Sequence, residues 1–257
     1  MQYIDLHNHT RFSFDSELTM NQTIQTAGKH NIDILGFSDH LDFARDDPGC
    51  EYYEPVEQFR MFDQLKDESN IELYCGIEAS YEDYYYERTL NVISKYPFDF
   101  VIMSVHFVNN TVISQWISEI EDGKDRVESV DYSPYFRHML ELTGKADFDI
   151  LGHIDYYKKY SKFSHTRTFD RYRDYYEKII ETIVSIDSIL EINTSGLRYD
   201  CHEQFPSERI LELYKDAGGE FISTGSDSHT ESHIGFGLDK AEDLIRKYNF
   251  KKFKPGV

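Results

Sequence analysis

Seven short runs rich in Ile, Leu, Val and Phe punctuate the chain: YIDL (3–6), DILGFS (33–38), IELYCGI (71–77), FDFVIMSV (98–105), FDILG (148–152), SILEIN (188–193) and EFISTGS (220–226). Near-continuous apolar runs of this length read as strands buried on both faces of a parallel sheet. Between them the apolar period changes to that of a helix. TMNQTIQTAGKHN opens with a Thr19-x-x-Gln22 capping box and sets Met20, Ile24 and Ala27 on one face. Tyr172, Tyr176, Ile179, Ile183 and Ile186 recur at helical spacing after the fifth run. PSERILELYKDAGG has Pro206 near its start and Gly218-Gly219 at its end, start and stop signals of an ordinary helix. The Tyr84-Tyr85-Tyr86 run reads as helix packing, and Asp46-Asp47 as a solvated loop. Strands alternating with helices predict an α/β chain with a parallel sheet, and seven such units suggest a closed or nearly closed barrel, with a doubly wound open sheet as the alternative. No Gly/Ser/Pro-rich linker or low-complexity segment marks a boundary, so residues 1–257 read as one domain.

Composition narrows the function classes. The chain is 40% hydrophobic and 29% charged, the makeup of a soluble globular protein, and 27 Lys+Arg against 47 Asp+Glu give a formal charge of −20. A surface that acidic repels phosphate backbones, so nucleic acid is disfavoured as a bulk partner. An enzyme for an anionic substrate would need its positive charge concentrated locally. No run is long enough to span a bilayer, and residues 1–10 carry Asp5, His7 and His9 where the apolar part of a signal peptide would lie. Cys50, Cys75 and Cys201 are odd in number and widely separated, which suits a reducing compartment. The expected location is the cytoplasm.

The ends of the strand runs carry the chemistry. The first gives His7 and His9, the second Asp39 and His40 in SDH, the third Glu78 in GIEAS, and the fourth His106 in SVH. The fifth gives His153 and Asp155 in GHID, the seventh Asp227 and His229 in SDSH, and the sixth Asn193 with Arg198 slightly later. In a parallel barrel these ends converge on one face, where active sites of such barrels lie. Residues i and i+2 of an extended segment point the same way, so His7 with His9, and Asp227 with His229, can each grip one centre. Imidazole and carboxylate donors suit Zn, Mn or Fe, and the set exceeds what one ion needs, so two or three divalent ions are expected. Taken singly, each histidine is more often a hydrogen-bonded structural residue than a ligand; the conjunction at six strand ends carries the reading. Asp39 is expected to orient a ligand rather than to be one. His30, His138, His165, His202 and His233 read as surface or loop histidines.

HNH, SDH, GIE, SVH, GHID and SDSH, in this order along essentially the whole chain, resemble the PHP (polymerase and histidinol phosphatase) superfamily. The resemblance implies a distorted (β/α)7 TIM-like barrel with a trinuclear metal centre at the strand C-terminal ends. It implies one ion on His7, His9, Glu78 and Asp227, a second sharing Glu78 and adding His106 and His153, and a third on Asp15, His40 and His229. Asp15, in SFDSE, and the chain length resemble the histidinol-phosphate phosphatase branch. That branch leads us to expect basic residues after GHID and EIN, here Lys159 and Arg198, gripping phosphate.

The activity this implies is hydrolysis of a small phosphorylated substrate, L-histidinol phosphate, to L-histidinol and phosphate, as in histidine biosynthesis. In-line attack by a hydroxide bridging two ions is expected, with His7, His9, Glu78, Asp227 and His229 at the catalytic centre. The general acid is left between a metal-bound water and Asp42. Long segments at 41–55, 107–132 and 154–168 are expected to wall the pocket as loops. The alternatives are a family phosphoesterase for another small ester or nucleotide, and a non-catalytic metal-binding protein. Against the latter stand Arg198 and Lys159, for which the sequence suggests no structural partner.

Overall fold

The computed structural model describes residues 2–44, 47–145, 147–163 and 165–256, with backbone alone for 165–167; Asp46 and the His165 side chain therefore lie outside the described residues. Its elements are β1 (Tyr3–Asp5), α1 (Met20–Lys29), β2 (Ile32–Phe37), β3 (His40–Leu41), α2 (Pro55–Leu65), β4 (Glu72–Cys75), β5 (Ile77–Ser80), α3 (Tyr86–Lys95), β6 (Val101–Ser104) and the hairpin strands β7 (Phe107–Val108) and β8 (Thr111–Val112). There follow α4 (Ile113–Glu121), α5 (Ser133–Lys145), β9 (Ile150–Leu151), α6 (His165–Ser185), β10 (Ile189–Asn193), α7 (Glu208–Asp216), β11 (Phe221–Gly225), α8 (Leu238–Tyr248) and β12 (Lys251–Lys252).

Each of the seven apolar runs holds at least one strand. All pairings except the β7–β8 hairpin are parallel, with β12-β11-β10-β9-β6-β5-β3 in one sheet and β1-β2-β4 in another. The two sheets are parts of one barrel. At one seam Leu6 N donates to Thr224 O (2.9 Å), Asp227 N donates to His7 O (2.8 Å), and Asn8 bridges Ser228 in parallel. At the other, the third run breaks at Gly76: β4 pairs with β2 before it, and β5 pairs with β3 and β6 after it. This change of neighbour is the distortion of an otherwise closed α/β barrel. Registers such as Asn193↔Gly225 and Glu78↔Ile102 set the strand ends level at one face.

Local signals behave as expected. Thr19 and Gln22 form the reciprocal capping box of α1, with Met20 and Ala27 buried. In α6, Tyr172, Tyr176, Ile179 and Ile183 are buried, but Ile186 lies past the helix end and is 43% exposed. Tyr84 does not pack on the core: it is 80% exposed on a 3-10 turn (Asp83–Tyr85) and meets only the Tyr85 ring edge-on, while Tyr85 and Tyr86 lean on the core. The segment 107–132 is not a plain loop, because the β7–β8 hairpin and α4 occupy it, with Trp116 and Ile117 buried on the α4 face toward the core.

One packing detail fixes the barrel interior. Phe100 sits among Ile4, Leu6, Ile34, Ile102, Ile150 and Ile189, and its ring occupies the space that side chains on Gly36 and Gly76 would take. A Cβ on Gly36 would come within 2.7 Å of the ring, and one on Gly76 would overlap it. Gly76→Ala is therefore expected to cost about 1–3 kcal/mol through overpacking, read as a lower urea midpoint at an unchanged slope.

Candidate metal centre

The HNH motif works because alternate residues of an extended segment face opposite ways. Asn8 points outward: its amide donates to Asp5 O (3.1 Å) and Gly36 O (3.2 Å), and its Oδ1 accepts from Ser228 Oγ at 2.6 Å. It thereby staples β1 between β2 and β11, while His7 and His9 turn inward, both fully buried. At the other side of the seam, Asp227 turns the chain with φ of 52°, a left-handed conformation that aspartate tolerates better than most residues.

Glu78 lies at the centre. Its carboxylate is 3.3 Å from His7 Nε2, 3.6 Å from His9 Nε2, 2.9 Å from His40 Nδ1, 3.3 Å from His106 Nε2 and 2.8 Å from His153 Nε2, and it accepts from Ser104 Oγ at 2.7 Å. Burial works against its ionisation, yet His7, His106 and His40 hold its pKa well below the usual carboxylate range. Asp227 Oδ1 lies 3.4 Å from His9 Nε2 and 3.5 Å from His229 Nδ1. At the mouth, Asp15 Oδ2 is 3.1 Å from His229 Nε2 and 3.7 Å from His40 Nε2.

The donor atoms fall into overlapping sets whose members all lie within 4.8 Å of one another: His7–His9–Glu78, His7–His153–Asp227, Glu78–His106–His153, His9–His40–His229 and His40–Asp42–His106. These sets hold eight of the nine residues that the sequence suggested; Asp15 is in none of them, His9 standing with His40 and His229 instead, although Asp15 Oδ2 lies beside both at the mouth. The expected set Glu78, His106 and His153 appears as a unit. The donors expected for the first ion are divided between two neighbouring sets, and Asp42 joins His40 and His106.

The site's chemistry fits divalent cations. His7 Nε2, His9 Nε2, His40 Nδ1, His153 Nδ1 and Asp42 Oδ1 are buried polar atoms without a hydrogen-bond partner among the described residues. Leaving so many buried lone pairs unmet is costly unless a ligand meets them. Two of them are also aimed. His7 Nδ1 is held at 2.6 Å by Glu191 Oε1, and His9 Nδ1 at 3.0 Å by Ser13 Oγ, which in turn donates to Asp39 at 2.8 Å. Each contact fixes a tautomer that presents Nε2 to the centre. The same cluster attracts protons: burial lowers the pKa of His40, but Glu78 and Asp42 outweigh it and raise the value to about 9.

Glu191 was not anticipated, although a carboxylate inside the apolar SILEIN run is the signal that could have exposed it. It is fully buried, and Oε2 also accepts from His153 N at 3.0 Å. A side chain at Gly225 would overlap both Glu191 and His7, so glycine there permits their contact.

The donors open onto a cavity of about 270 Å³ that Lys159, Arg198, Tyr156, Tyr199 and His233 also line. Expectations for three residues change here, since Lys159 as well as Arg198 has structural partners and His233 faces the cavity. Arg198 has structural partners: it donates to Ser226 O (2.8 Å) and Asp227 O (2.9 Å), bracing the turn that carries Asp227. His233, read from sequence as an ordinary loop histidine, faces the cavity. Lys159 donates to Tyr156 Oη at 2.8 Å and lies over the Tyr156, Tyr160 and Tyr199 rings. The adjacent Lys158 points away and is locked between Asp155 and Glu203, each at 2.8 Å.

The PHP domain family model matches residues 5–195. The histidinol-phosphatase of Lactococcus lactis subsp. lactis (strain IL1403) is 28% identical over 259 residues, covering 97% of this chain and 93% of that one. A Clostridium acetobutylicum protein bearing the name "Probable histidinol-phosphatase" is 28% identical over 251 residues, covering 96% of this chain and 94% of its own. Among solved structures, histidinol phosphate phosphatase from Lactococcus lactis subsp. lactis Il1403, complexed with Zn, L-histidinol and phosphate, aligns with a TM-score of 0.85 at 26% identity, covering 99% of this chain and 96% of that one. With its distorted α/β barrel and histidine-rich strand ends, the chain belongs to the PHP domain family.

Proposed function

We propose that this protein is a histidinol-phosphatase, a phosphoric monoester hydrolase that converts L-histidinol phosphate to L-histidinol and phosphate. The observation that carries this is the full-length likeness to the Lactococcus enzyme whose structure holds zinc, L-histidinol and phosphate. We read the cofactor as two or three divalent ions, zinc foremost, on His7, His9, Glu78 and Asp227, on Glu78, His106 and His153, and on Asp15, His40 and His229. Bound there, divalent cations supply Lewis acidity and offset the charge of a phosphate dianion, which a chain of net charge −20 otherwise repels.

The chain's own residues do the rest. Glu191 and Ser13 keep His7 and His9 in the tautomer whose Nε2 is free. Lys159 brings a point charge to phosphate oxygens, held by its tyrosine cage, and Arg198 offers them the part of its guanidinium not engaged by Ser226 and Asp227. Asp42 stays a candidate for handling the leaving-group proton, lying 3.9 Å from His106 and 3.8 Å from His40. Free Cys50, Cys75 and Cys201 suit a reducing compartment, and we read the enzyme as cytoplasmic. Among the described residues no helix is long and apolar enough to cross a membrane.

A panel of phosphomonoesters with zinc analysis tests the assignment. Histidinol phosphate should have the highest kcat/KM by at least an order of magnitude; equal values across the panel would refute the substrate. His9→Ala and Asp227→Ala should each lose activity and part of the bound metal while keeping the far-UV circular dichroism of the parent. Glu191→Gln should weaken zinc binding or turnover about 10–100-fold, measured by competition with a chromophoric chelator. Metal-free protein should bind zinc more tightly as pH rises from 7 to 9, because His40, with its pKa raised to about 9, must lose a proton to become a ligand. Proton release during zinc titration in weakly buffered solution checks the sign.

A further inference from the structure

The segment after Asp227 and His229 makes one 3-10 turn, Glu231–His233, which delivers His233 to the cavity wall beside Arg198, Lys159 and Tyr199. Its Nδ1 is buried without a hydrogen-bond partner among the described residues. Of the other polar groups of the wall, six belong to the donor clusters, Asp15 pairs with His229, Tyr156 accepts from Lys159, Tyr199 offers its ring to Lys159, and Arg198 braces the Asp227 turn. His233 belongs to none of the donor sets. Three residues on, Phe236 is 40% exposed, its N donates to His233 O at 3.0 Å, and the Arg198 guanidinium lies 5.5 Å from its ring centre. One short turn therefore presents an unengaged imidazole at the cavity wall, while the Phe236 ring lies outside the cavity's lining, against the Arg198 guanidinium.

Resting on the substrate reading above, we propose that His233 is the specificity-determining residue for the leaving alcohol: its imidazole hydrogen-bonds a nitrogen of the histidinol part. The cavity's cations divide the labour this way. A phosphate dianion is served by Lys159, Arg198 and bound ions, and an uncharged imidazole adds little to that. Burial, Arg198 and His229 together push the His233 pKa down to about 4, so it meets the substrate neutral and can donate or accept. A site that hydrogen-bonds a substrate nitrogen discriminates strongly against an analogue lacking it, since its own polar group is then left unpaired.

The test is the ratio of kcat/KM for L-histidinol phosphate to that for glycerol phosphate, measured on the zinc-loaded enzyme. In His233→Ala this ratio should fall about 10–100-fold, and the Kd for L-histidinol by calorimetry should rise by a similar factor while that for inorganic phosphate shifts less than threefold. His233→Gln keeps a hydrogen-bonding group and should retain most of the ratio, and it serves as the readout should the alanine variant not fold. A ratio within twofold of the parent in His233→Ala, or equal weakening for histidinol and phosphate, or a collapse in His233→Gln as deep as in His233→Ala, overturns the proposal. A parent enzyme with no preference for histidinol phosphate overturns the substrate reading instead, so the two failures are told apart.

Discussion

A single carboxylate constrains this molecule more than any other group. Glu78 is 1% exposed and stands among imidazoles supplied by four different strands: His7 and His9 after β1, His40 in β3, His106 after β6 and His153 after β9. Taking one charge out of water costs several kcal/mol unless close partners compensate it. Here the partners come only if the strand ends stay level, so the barrel's register and the charge of Glu78 are one problem. The change of strand neighbour at Gly76 lies two residues before Glu78 and aims β5 at the centre.

Around that centre lies a layer whose task is orientation. Glu191 holds both the His7 ring and the backbone at His153, Asp39 gathers Thr10, Ser13 and Gln58, and Asn8 ties three strands together. Arg198 belongs partly to this layer. Its bonds to two carbonyls steady the turn at Asp227, so any contact with phosphate starts from an arm already fixed at the shoulder. Rigid support of this kind keeps donors in place whether or not an ion is present.

Much of the fold was legible because buried parallel strands carry near-continuous apolar runs, and their polar residues crowd the C-terminal ends. The periods of α1, α6 and α7 could be read for the same reason. The reading failed where geometry rather than composition decides. ISQWISEIE does carry Ile113, Trp116, Ile117 and Ile120 at helical spacing, the local signal for α4 that its position inside a long connection obscured, and Ile186 fits the helical period yet lies beyond the point where the helix stops. Glu191 hid inside an apolar strand, its meaning visible only when His7 arrives from far along the chain. Arg198 read as unpartnered because backbone carbonyls, its actual partners, leave no mark in sequence. His233 lacked a strand-end position and was passed over, although a one-turn detour carries it to the same cavity.

The seam between β1 and β11 carries a further consequence. Asp5 and Ser226 hydrogen-bond across a sequence separation of 221 residues, and His7 and His9 meet Asp227 at the same place. Contacts so distant in sequence form late, after the intervening units have been ordered and the entropy of closing that long loop has been met. During synthesis, then, six strand-helix units can assemble while His7 and His9 still lack a carboxylate partner from the last one. The capture of a cation by this group of residues would act as a latch on the finished barrel, reporting that both ends of the sheet have found each other.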